Sequence, residues 1–271
     1  MPRIVDELIR VQTEERAAAL ATVVGTGAVL QEELGHKLLV SEGKVLAGEI
    51  KTPSLIEAIV GQSEALIQAG KSRRLLVMAH PDPEACAVFF EVMLPRPFLI
   101  VVGAGHIAVP LVKMARVLDF KISVIDDRVQ YANRERFPDA DEVLVGDMAE
   151  TLAGLPITAQ TAIVLITRGH KYDEPCLRET IGSQAGYIGM IGSRRRISAC
   201  FERFREENYA EELIQRVYAP IGLAVHAETP EEIALCILAE IIKVRRGGSA
   251  ESLSDVWRYK KKPAKQLRVE S

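Results

Sequence analysis

The sequence predicts an α/β protein in which a smaller α+β domain precedes a doubly wound parallel sheet. Beyond residue 97, strand-like runs alternate with helical patterns, which is typical of parallel sheets. The first of these runs, 98–102, is apolar throughout, as expected for a strand that is buried on both faces. A G-x-G-x-x-A sequence follows it directly, over 103–108. Together these observations predict that the second domain is Rossmann-like.

The composition is that of an ordinary globular protein. Of the 271 residues, 48% are hydrophobic and 26% are charged, which argues against a disordered chain. The formal net charge of -3 argues against a dedicated nucleic-acid-binding protein, because such proteins usually carry a basic excess. The length is enough for one large domain or for two small ones.

The sequence shows neither a signal peptide nor an apolar run of about 20 residues, so no membrane segment is predicted. Its four cysteines form no C-x-x-C pair, and its histidines stand at no metal-ligand spacing. We therefore expect a cytoplasmic protein with reduced thiols and no metal site. Cys86 could carry sulfur or bind a soft metal, although packing as a small hydrophobic residue is the favoured interpretation.

The first domain is predicted to span 1–94 and to combine two helices with strands in hairpin-like succession. Amphipathic patterns predict one helix over 1–19 and another from Pro53 to just before Gly70. Strands are predicted over 20–24, 37–40, 44–47, 74–78 and 87–92. The segment 95–97 is predicted to be a linker, because its two prolines favour an extended and stiff connection.

The second domain is predicted over 98–247, followed by a basic tail over 248–271. Its strands are predicted over 98–102, 122–125, 143–145, 162–166 and 187–191. Helices are expected after the first strand, from about Asp173 and from Ser193, and the last helix begins with the capping box Thr229-Pro-Glu-Glu232. The tail is expected to be solvated and frayed, with docking to an acidic partner as the alternative.

The glycine-rich turn after the first strand has the composition of a nucleotide-binding turn. Gly103 permits the sharp bend, Gly105 lets a diphosphate approach the backbone, and Ala108 allows close contact between helix and strand. His106 lies within the same turn. Asp126 ends the next strand, where an acidic residue accepts ribose hydroxyls. The alternative is a Rossmann-like domain that binds no ligand.

The residues after Asp126 leave the kind of nucleotide open. Arg128 could bind a 2′-phosphate, whereas Asp126 would repel one, so NAD and NADP are both candidates. Asp127 stands between these two residues. The basic segment 134–138 is either a solvated loop or a rim over the nucleotide end of the site.

A second group of polar residues follows the strand over 162–166. Thr167 and Arg168 could hold phosphate or oxyanion oxygens, and Gly169 comes next. His170 could act as an acid, a base or a hydrogen-bond donor, or it could simply be solvated. The carboxyl ends of parallel strands are where open α/β sheets bind ligands, which favours a role in binding.

A third group follows the strand over 187–191 and includes Gly192. Ser193 can cap the next helix, which leaves the first amides of that helix available to an anion. Arg194, Arg195 and Arg196 oppose the helix dipole in the first turn, so they weaken the helix unless an anion is present. This placement favours a polyphosphate or phosphorylated-pterin site over a solvated run of charge.

Taken together, these motifs resemble the XdhC/CoxI family, whose members are maturation factors for molybdenum-cofactor enzymes of the xanthine dehydrogenase and carbon monoxide dehydrogenase type. The similarity extends over nearly all of 98–246 and is weaker in the first domain. The segments that carry it are Val102-Gly-Ala-Gly-His-Ile-Ala108, Asp126-Asp-Arg128, Arg136-Phe-Pro138, Thr167-Arg-Gly-His170 with Asp173, Tyr187-Ile-Gly-Met-Ile-Gly-Ser-Arg-Arg195, Pro220-Ile-Gly-Leu223 and Thr229-Pro-Glu-Glu-Ile233.

The resemblance implies a chaperone that binds the molybdenum cofactor, protects it during sulfuration and passes it to a xanthine dehydrogenase-type enzyme. It further implies that Arg168, Arg194 and Arg195 bind the phosphate of the pterin, and that a separate cysteine desulfurase supplies the sulfur. The chaperone itself would have no catalytic residues. A homodimer is the default assembly. The other candidate cofactor-binding residues are Gly103, Gly105, His106, Ala108, Asp126, Asp127, Arg128, Thr167, Gly169, His170, Gly192 and Ser193.

Two other functions stay open at this point. The glycine turn and Asp126 support an NAD(P)-dependent oxidoreductase, for which His170 and Tyr172 are the candidate acid–base residues. A nucleotide-sensing or interaction protein is the third hypothesis, because the first domain lacks the glycine loop that is usual in the XdhC/CoxI family.

Overall fold

A computed structural model describes residues 3–26, 30–78 and 85–260 of the chain. Contacts between Cα atoms divide the chain into two compact units, Met1–Arg96 and Pro97–Ser271. The finer domain boundaries predicted at residues 94, 97 and 247 stay a prediction.

The described part of the first unit combines an antiparallel sheet with two helices. Its helices are α1 (Ile4–Thr13) and α2 (Pro53–Ala69). Its strands are β1 (Ala18–Gly25), β2 (Lys37–Ser41), β3 (Lys44–Gly48), β4 (Arg73–Met78) and β5 (Ala85–Met93), in the spatial order β3-β2-β1-β5-β4. The core between α2 and the sheet includes Leu55, Ile59, Val40, Val88 and Phe90.

The structure corrects two details of the first unit. The predicted helix over 1–19 ends at Thr13, because Glu15 has a φ of 49° and Ala18 and Ala19 are fully buried in β1. The hairpin-like succession is only partly right, since β1 lies between β2 and β5, which is distant in sequence. The β2–β3 hairpin is confirmed, and its two turn residues Glu42 and Gly43 both have positive φ.

The second unit is built on a six-stranded parallel sheet. Its strands are β6 (Phe98–Val102), β7 (Lys121–Asp126), β8 (Glu142–Val145), β9 (Thr161–Leu165), β10 (Tyr187–Met190) and β11 (Val217–Tyr218). Their spatial order is β11-β10-β9-β6-β7-β8, and every neighbouring pair is parallel. Counted from β6, this is the 3-2-1-4-5-6 order of a Rossmann sheet, as the sequence predicts.

Helices cover both faces of this sheet. They are α3 (Ala108–Val117), α4 (Met148–Ala153), α5 (His170–Thr180), α6 (Arg194–Glu206), α7 (Glu211–Gln215) and α8 (Pro230–Arg246). A last helix, α9 (Leu253–Lys260), follows them in the sequence. Alternate residues of β6 enter two different cores: Leu99 and Val101 pack with α3 and α8, whereas Ile100 and Val102 pack with α4, α5 and α6. This division explains why the sequence of β6 is apolar throughout.

Several short elements were not predicted from the sequence patterns. The helices α4 and α7 and the strand β11 have six, five and two residues, and α5 begins at His170 rather than near Asp173. The predicted frayed tail forms helix α9 over Leu253–Lys260, and its remainder, 261–271, lies outside the described residues. Among the described helices, none combines the length and apolar character needed to cross a membrane.

Candidate functional site

A cavity of about 270 Å³ lies at the carboxyl ends of β6, β7 and β9. The strands β6 and β9 are neighbours, but β6 leads through α3 to β7 on one side, and β9 leads through α5 to β10 on the other. This reversal is the switch point at which open α/β sheets bind ligands. The cavity is lined by Gly103, Gly105, His106, Asp126, Arg128, Tyr131, Met148, Ile166, Thr167 and Arg168.

The two glycines of the turn have different physical roles. Gly103 has a φ of 105°, and a Cβ atom there would lie 2.6 Å from the carbonyl oxygen of Ile166. Only glycine is compatible with that position. At Gly105, a Cβ atom would meet no heavy atom within 4 Å, so the turn is open on this side. An open backbone next to the start of α3 is suited to an anionic ligand.

Asp126, which lines the cavity, accepts four hydrogen bonds through its carboxylate. Its Oδ2 accepts from the amide of Ala104 (2.8 Å) and from Nη2 of Arg128 (2.9 Å). Its Oδ1 accepts from the amide of Arg128 (3.1 Å) and from its Nε (2.8 Å). Burial alone would raise the pKa of Asp126, but the bonds from Arg128 and Ala104 outweigh it and lower the pKa to about 2. Asp126 is therefore ionised at all physiological pH values.

The peptide groups on both sides of Ala104 are held in place. Its amide binds Asp126, and its carbonyl oxygen accepts a 2.8 Å hydrogen bond from Nη1 of Arg136. The same Nη1 also donates to the carbonyl of Tyr131 at 2.9 Å. The glycine turn is thus fixed before any ligand arrives, which reduces the entropic cost of binding.

A buried carboxylate joins the cavity to helix α6. The hydroxyl of Thr167, which lines the cavity, donates a 2.5 Å hydrogen bond to Oδ1 of Asp173. The Oδ2 atom of Asp173 accepts a 2.7 Å bond from Nη2 of Arg196. Asp173 is 3% exposed, and its burial raises its pKa despite these two partners.

Arg168 lies at the exposed edge of the cavity. Its Nη2 donates to Oδ2 of Asp127 at 2.6 Å and to the hydroxyl of Tyr172. Its guanidinium also lies over the Tyr172 ring, with 4.4 Å between Cζ and the ring centroid. Asp127 and Arg168 thus form an ion pair that is partly accessible to solvent.

The predicted site residues fall into two groups. The cavity brings together Gly103, Gly105, His106, Asp126, Arg128, Thr167 and Arg168. Asp127 is paired with Arg168, Ala108 is buried at the start of α3, and the amide of Gly169 donates to the Thr167 hydroxyl oxygen. His170 begins α5, but its side chain lies outside the described part of the structure.

The second group lies at the start of α6 and does not line this cavity. Ser193 caps the helix by accepting a hydrogen bond from the amide of Arg196, as predicted, and Gly192 precedes it. Arg194 and Arg195 are exposed, and neither forms an ion pair within the described residues. The Arg196–Asp173–Thr167 chain of hydrogen bonds connects the two groups.

Sequence patterns missed several residues that shape the cavity. Tyr131, Met148 and Ile166 line it without having been predicted as site residues. Asp173 and Arg136 act through hydrogen bonds to Thr167 and Ala104. Asp173 and Arg136 belong to motifs already noted, whereas Tyr131 lies in an irregular segment whose sequence gives no periodic signal.

All four cysteines are buried thiols, and none of them lines the cavity. Cys86 is fully buried within β5, where it packs in the core of the first unit. Burial raises the pKa of Cys176 to about 12 and that of Cys200 to about 11. No group of three or more His, Cys, Asp or Glu side chains that could hold a metal ion occurs among the described residues.

Comparisons with known proteins also identify a Rossmann domain in the second unit. The family model described as the XdhC Rossmann domain matches residues 99–241. The chain is 33% identical over 162 residues to the uncharacterized protein YqeB of Escherichia coli (strain K12), covering 59% of this chain and 30% of that protein. It is 30% identical over 159 residues to a probable xanthine dehydrogenase subunit of Bacillus subtilis (strain 168), covering 59% of this chain and 46% of that protein.

Two further similarities extend the comparison. The molybdenum cofactor insertion chaperone PaoD of Escherichia coli (strain K12) is 26% identical over 99 residues, which cover 36% of this chain and 31% of that protein. A crystal structure of a xanthine dehydrogenase from Bacillus halodurans shares the fold with a TM-score of 0.65 at 23% identity, covering 91% of this chain and 68% of that one. The matches to the three curated relatives span less than half the length of each.

Proposed function

Because the chain belongs to the family of the XdhC Rossmann domain, we propose that it handles the molybdenum cofactor for a xanthine dehydrogenase-type enzyme. The names of two relatives support this role, since one is a molybdenum cofactor insertion chaperone and the other is a probable xanthine dehydrogenase subunit. In this proposal the cofactor is cargo that the chain binds and then delivers.

The observation that carries the proposal is the cavity at the switch point of the sheet. It combines an open backbone at Gly105 with the guanidinium donors of Arg168, whereas the Thr167 hydroxyl already donates to Asp173. A phosphorylated pterin offers a phosphate for these donors, and arginine binds phosphate oxygens in a planar, two-pronged geometry. At about 270 Å³ the cavity is slightly smaller than typical ligand pockets of roughly 300–1000 Å³. We therefore place the phosphate end of the ligand there.

The arginines at the start of α6 are the alternative phosphate site. Arg194 and Arg195 are exposed, and the first amides of α6 are available to an anion. The hydrogen bonds through Asp173 connect this turn to Thr167, which lines the cavity. Separate variants at the two positions decide between them.

Sulfuration of the cargo requires a sulfur donor outside this chain. All four thiols are buried, and burial raises the pKa of Cys176 and Cys200, so neither supplies a ready thiolate. We propose a separate cysteine desulfurase as the donor, a cytoplasmic location and a homodimer. Light scattering tests the homodimer, and co-purification tests both the desulfurase and the molybdenum hydroxylase.

The cargo is tested by purifying the full chain from a molybdenum-replete host. Heat and oxidation release bound pterin in a fluorescent form, which is quantified per chain. We expect a near-stoichiometric signal in the wild type that falls in Arg168→Ala or in the double variant Arg194→Ala/Arg195→Ala, depending on where the phosphate binds. Arg205→Ala is the matched control, because Arg205 lies on α6 and pairs only with the exposed Glu211 among the described residues.

Delivery is tested by adding the loaded chain to an apo-molybdenum hydroxylase and measuring the pterin that transfers. Absence of pterin from the wild type would contradict the cargo proposal.

Nucleotide binding is the second candidate function, since the strand order and the glycine turn are typical of nucleotide sites. The same extract is therefore assayed for nicotinamide nucleotides, and their presence without pterin would favour an oxidoreductase or a sensor.

A further inference from the structure

Asp126 occupies the position at which a Rossmann sheet usually binds a ribose. It ends the strand next to the glycine turn, where a carboxylate accepts hydrogen bonds from the ribose hydroxyls. An ionised carboxylate has about four acceptor positions, two on each oxygen. In this chain, Ala104 and Arg128 supply four donors, two to each oxygen, at 2.8–3.1 Å. No acceptor position is left for a ribose diol.

Arg128 takes the place that the diol would have. Its Nε and Nη2 atoms form the two-pronged pair with Asp126, which leaves Nη1 outside that pair. Its Cζ lies 3.8 Å from the centroid of the Tyr131 ring, so the guanidinium plane is held on one side by the aromatic ring. Both Arg128 and Tyr131 line the cavity. The guanidinium is therefore a fixed part of the cavity wall.

The charges around Arg128 balance one another and leave guanidinium donors on the cavity wall. Asp127 is the other nearby carboxylate, with 3.7 Å between its Oδ1 and Nε of Arg128. Asp127 is itself paired with Arg168, whose Nη2 lies 2.6 Å from its Oδ2. The four side chains thus carry two negative and two positive charges, and Arg128 and Arg168 both line the cavity. An additional anion at this position would find donors rather than acceptors.

We propose that Arg128 makes the cavity selective for a phosphate group at the position where a ribose diol would otherwise bind. A neutral diol must displace Arg128 from Asp126 before it finds an acceptor, whereas a phosphate oxygen accepts directly from the guanidinium. The inference rests on the proposed ligand site but not on the identity of the cargo. The phosphate can belong to the pterin or to the 2′-position of a nucleotide.

NAD+ and NADP+ are a matched pair of probes, because they differ only by the 2′-phosphate. We expect calorimetric titration of the ligand-free chain to show NADP+ binding at least about tenfold tighter than NAD+. In Arg128→Ala this preference is expected to vanish, because Asp126 regains free acceptor positions. Arg128→Gln keeps one amide donor for the buried Asp126 but removes the positive charge. This variant should therefore stay folded and should also lose the preference for NADP+. Arg116→Ala, at an exposed ion pair on α3, is the control.

The outcomes separate the alternatives. If the wild type binds neither nucleotide, the appearance of NAD+ binding in Arg128→Ala or Arg128→Gln supports the proposal, and its absence from both overturns it. Equal or tighter binding of NAD+ by the wild type also overturns it, as does a preference that survives both substitutions. Pterin content of the two variants assigns the source of the phosphate: its loss points to the pterin, whereas unchanged pterin content together with a lost NADP+ preference points to a nucleotide. Absence of pterin from the wild type would refute the cargo while leaving the nucleotide titrations informative.

Discussion

The hydroxyl of Tyr187 on β10 donates a 2.6 Å hydrogen bond to Oε2 of Glu240 on α8. The same oxygen accepts a 2.9 Å bond from the amide of Gly222, and the Tyr187 ring is stacked on Tyr218 at 4.8 Å between centroids. Burial, followed by the bond to Glu240, raises the pKa of Tyr187, so the hydroxyl remains a donor. One carboxylate thus joins the last long helix, the sheet and the turn at Gly222.

Tyr187→Phe should lower the free energy of unfolding by about 1–3 kcal/mol, because the buried Glu240 carboxylate loses a donor that water does not fully replace. Urea unfolding followed by circular dichroism measures this. Tyr209→Phe is the control, since Tyr209 is only half-buried and packs its ring on Phe204. Equal midpoints for the two variants would show that the buried bond contributes nothing.

Alanine at the two glycines of the turn should have different effects: at Gly103 on stability, and at Gly105 on ligand binding. Gly103→Ala combines a positive φ with a close approach to the Ile166 carbonyl, so we expect a loss of about 1–3 kcal/mol in stability. Gly105→Ala meets open space, so its stability should change by less than about 0.5 kcal/mol. Pterin content should nevertheless fall in Gly105→Ala, because the methyl group occupies the ligand's approach to the backbone. Similar unfolding midpoints for both variants would argue against the geometry of the turn.

The stability of the first unit should depend on the ionisation of Glu33. Burial alone would raise its pKa, but hydrogen bonds from His36, from Thr52 and from the amide of Lys51 outweigh it and lower the pKa from 4.5 to about 2. A lowered pKa in the folded state stabilises the fold above pH 4.5, and this contribution is lost as the pH falls from 4.5 towards 2.

Glu33→Gln isolates this contribution. The wild type should exceed the variant by roughly 1–3 kcal/mol at pH 7, and the difference should shrink as the pH approaches 2–3. Urea unfolding of both proteins at several pH values provides the comparison. A difference that is constant with pH would mean that the carboxylate acts through packing rather than through its charge.

The four thiols should react slowly in the folded protein. Cys86, Cys176 and Cys200 are at most 3% exposed, and Cys236 is 7% exposed. The reaction with a disulfide reagent at pH 8 requires an accessible thiolate. All four thiols should therefore become reactive mainly when the protein unfolds, with Cys236 reacting first. Mass spectrometry of the labelled peptides gives the order. Rapid labelling of Cys86 would instead revive a sulfur-carrying role for the first unit.

The sequence was sufficient to predict the sheet because its central strands are long and apolar. The runs that became β6, β7 and β9 alternate with helices, and this alternation alone requires parallel pairing. The helices α4 and α7 have too few residues to complete two turns, so they carry no periodic signal. Helix α1 ends early because β1 buries Ala18 and Ala19, a tertiary effect that outweighs the helical preference of these alanines.

The sequence predicted where the candidate site lies in the sheet but not the hydrogen bonds among its side chains. The motif predicted that Asp126 ends the strand beside the glycine turn, and Asp126 is the last residue of β7 and lines the cavity. Its saturation by Ala104 and Arg128 depends on side-chain geometry that spacing does not encode. Likewise, the charge of Arg196 was visible in the sequence, whereas its partner Asp173 lies 23 residues earlier and meets it only in the fold.

The position of α8 in the sequence also affects how the chain folds during translation. The first unit is complete once residue 96 has been synthesised. The second unit lacks part of its core until Ile237 and Ile241 of α8 have emerged, because these residues cover β6 and β7 together with α3. Throughout the intervening synthesis, the nascent chain exposes apolar strand surface of the kind that aggregates. Ribosome-associated chaperones should therefore be needed most during translation of the second unit.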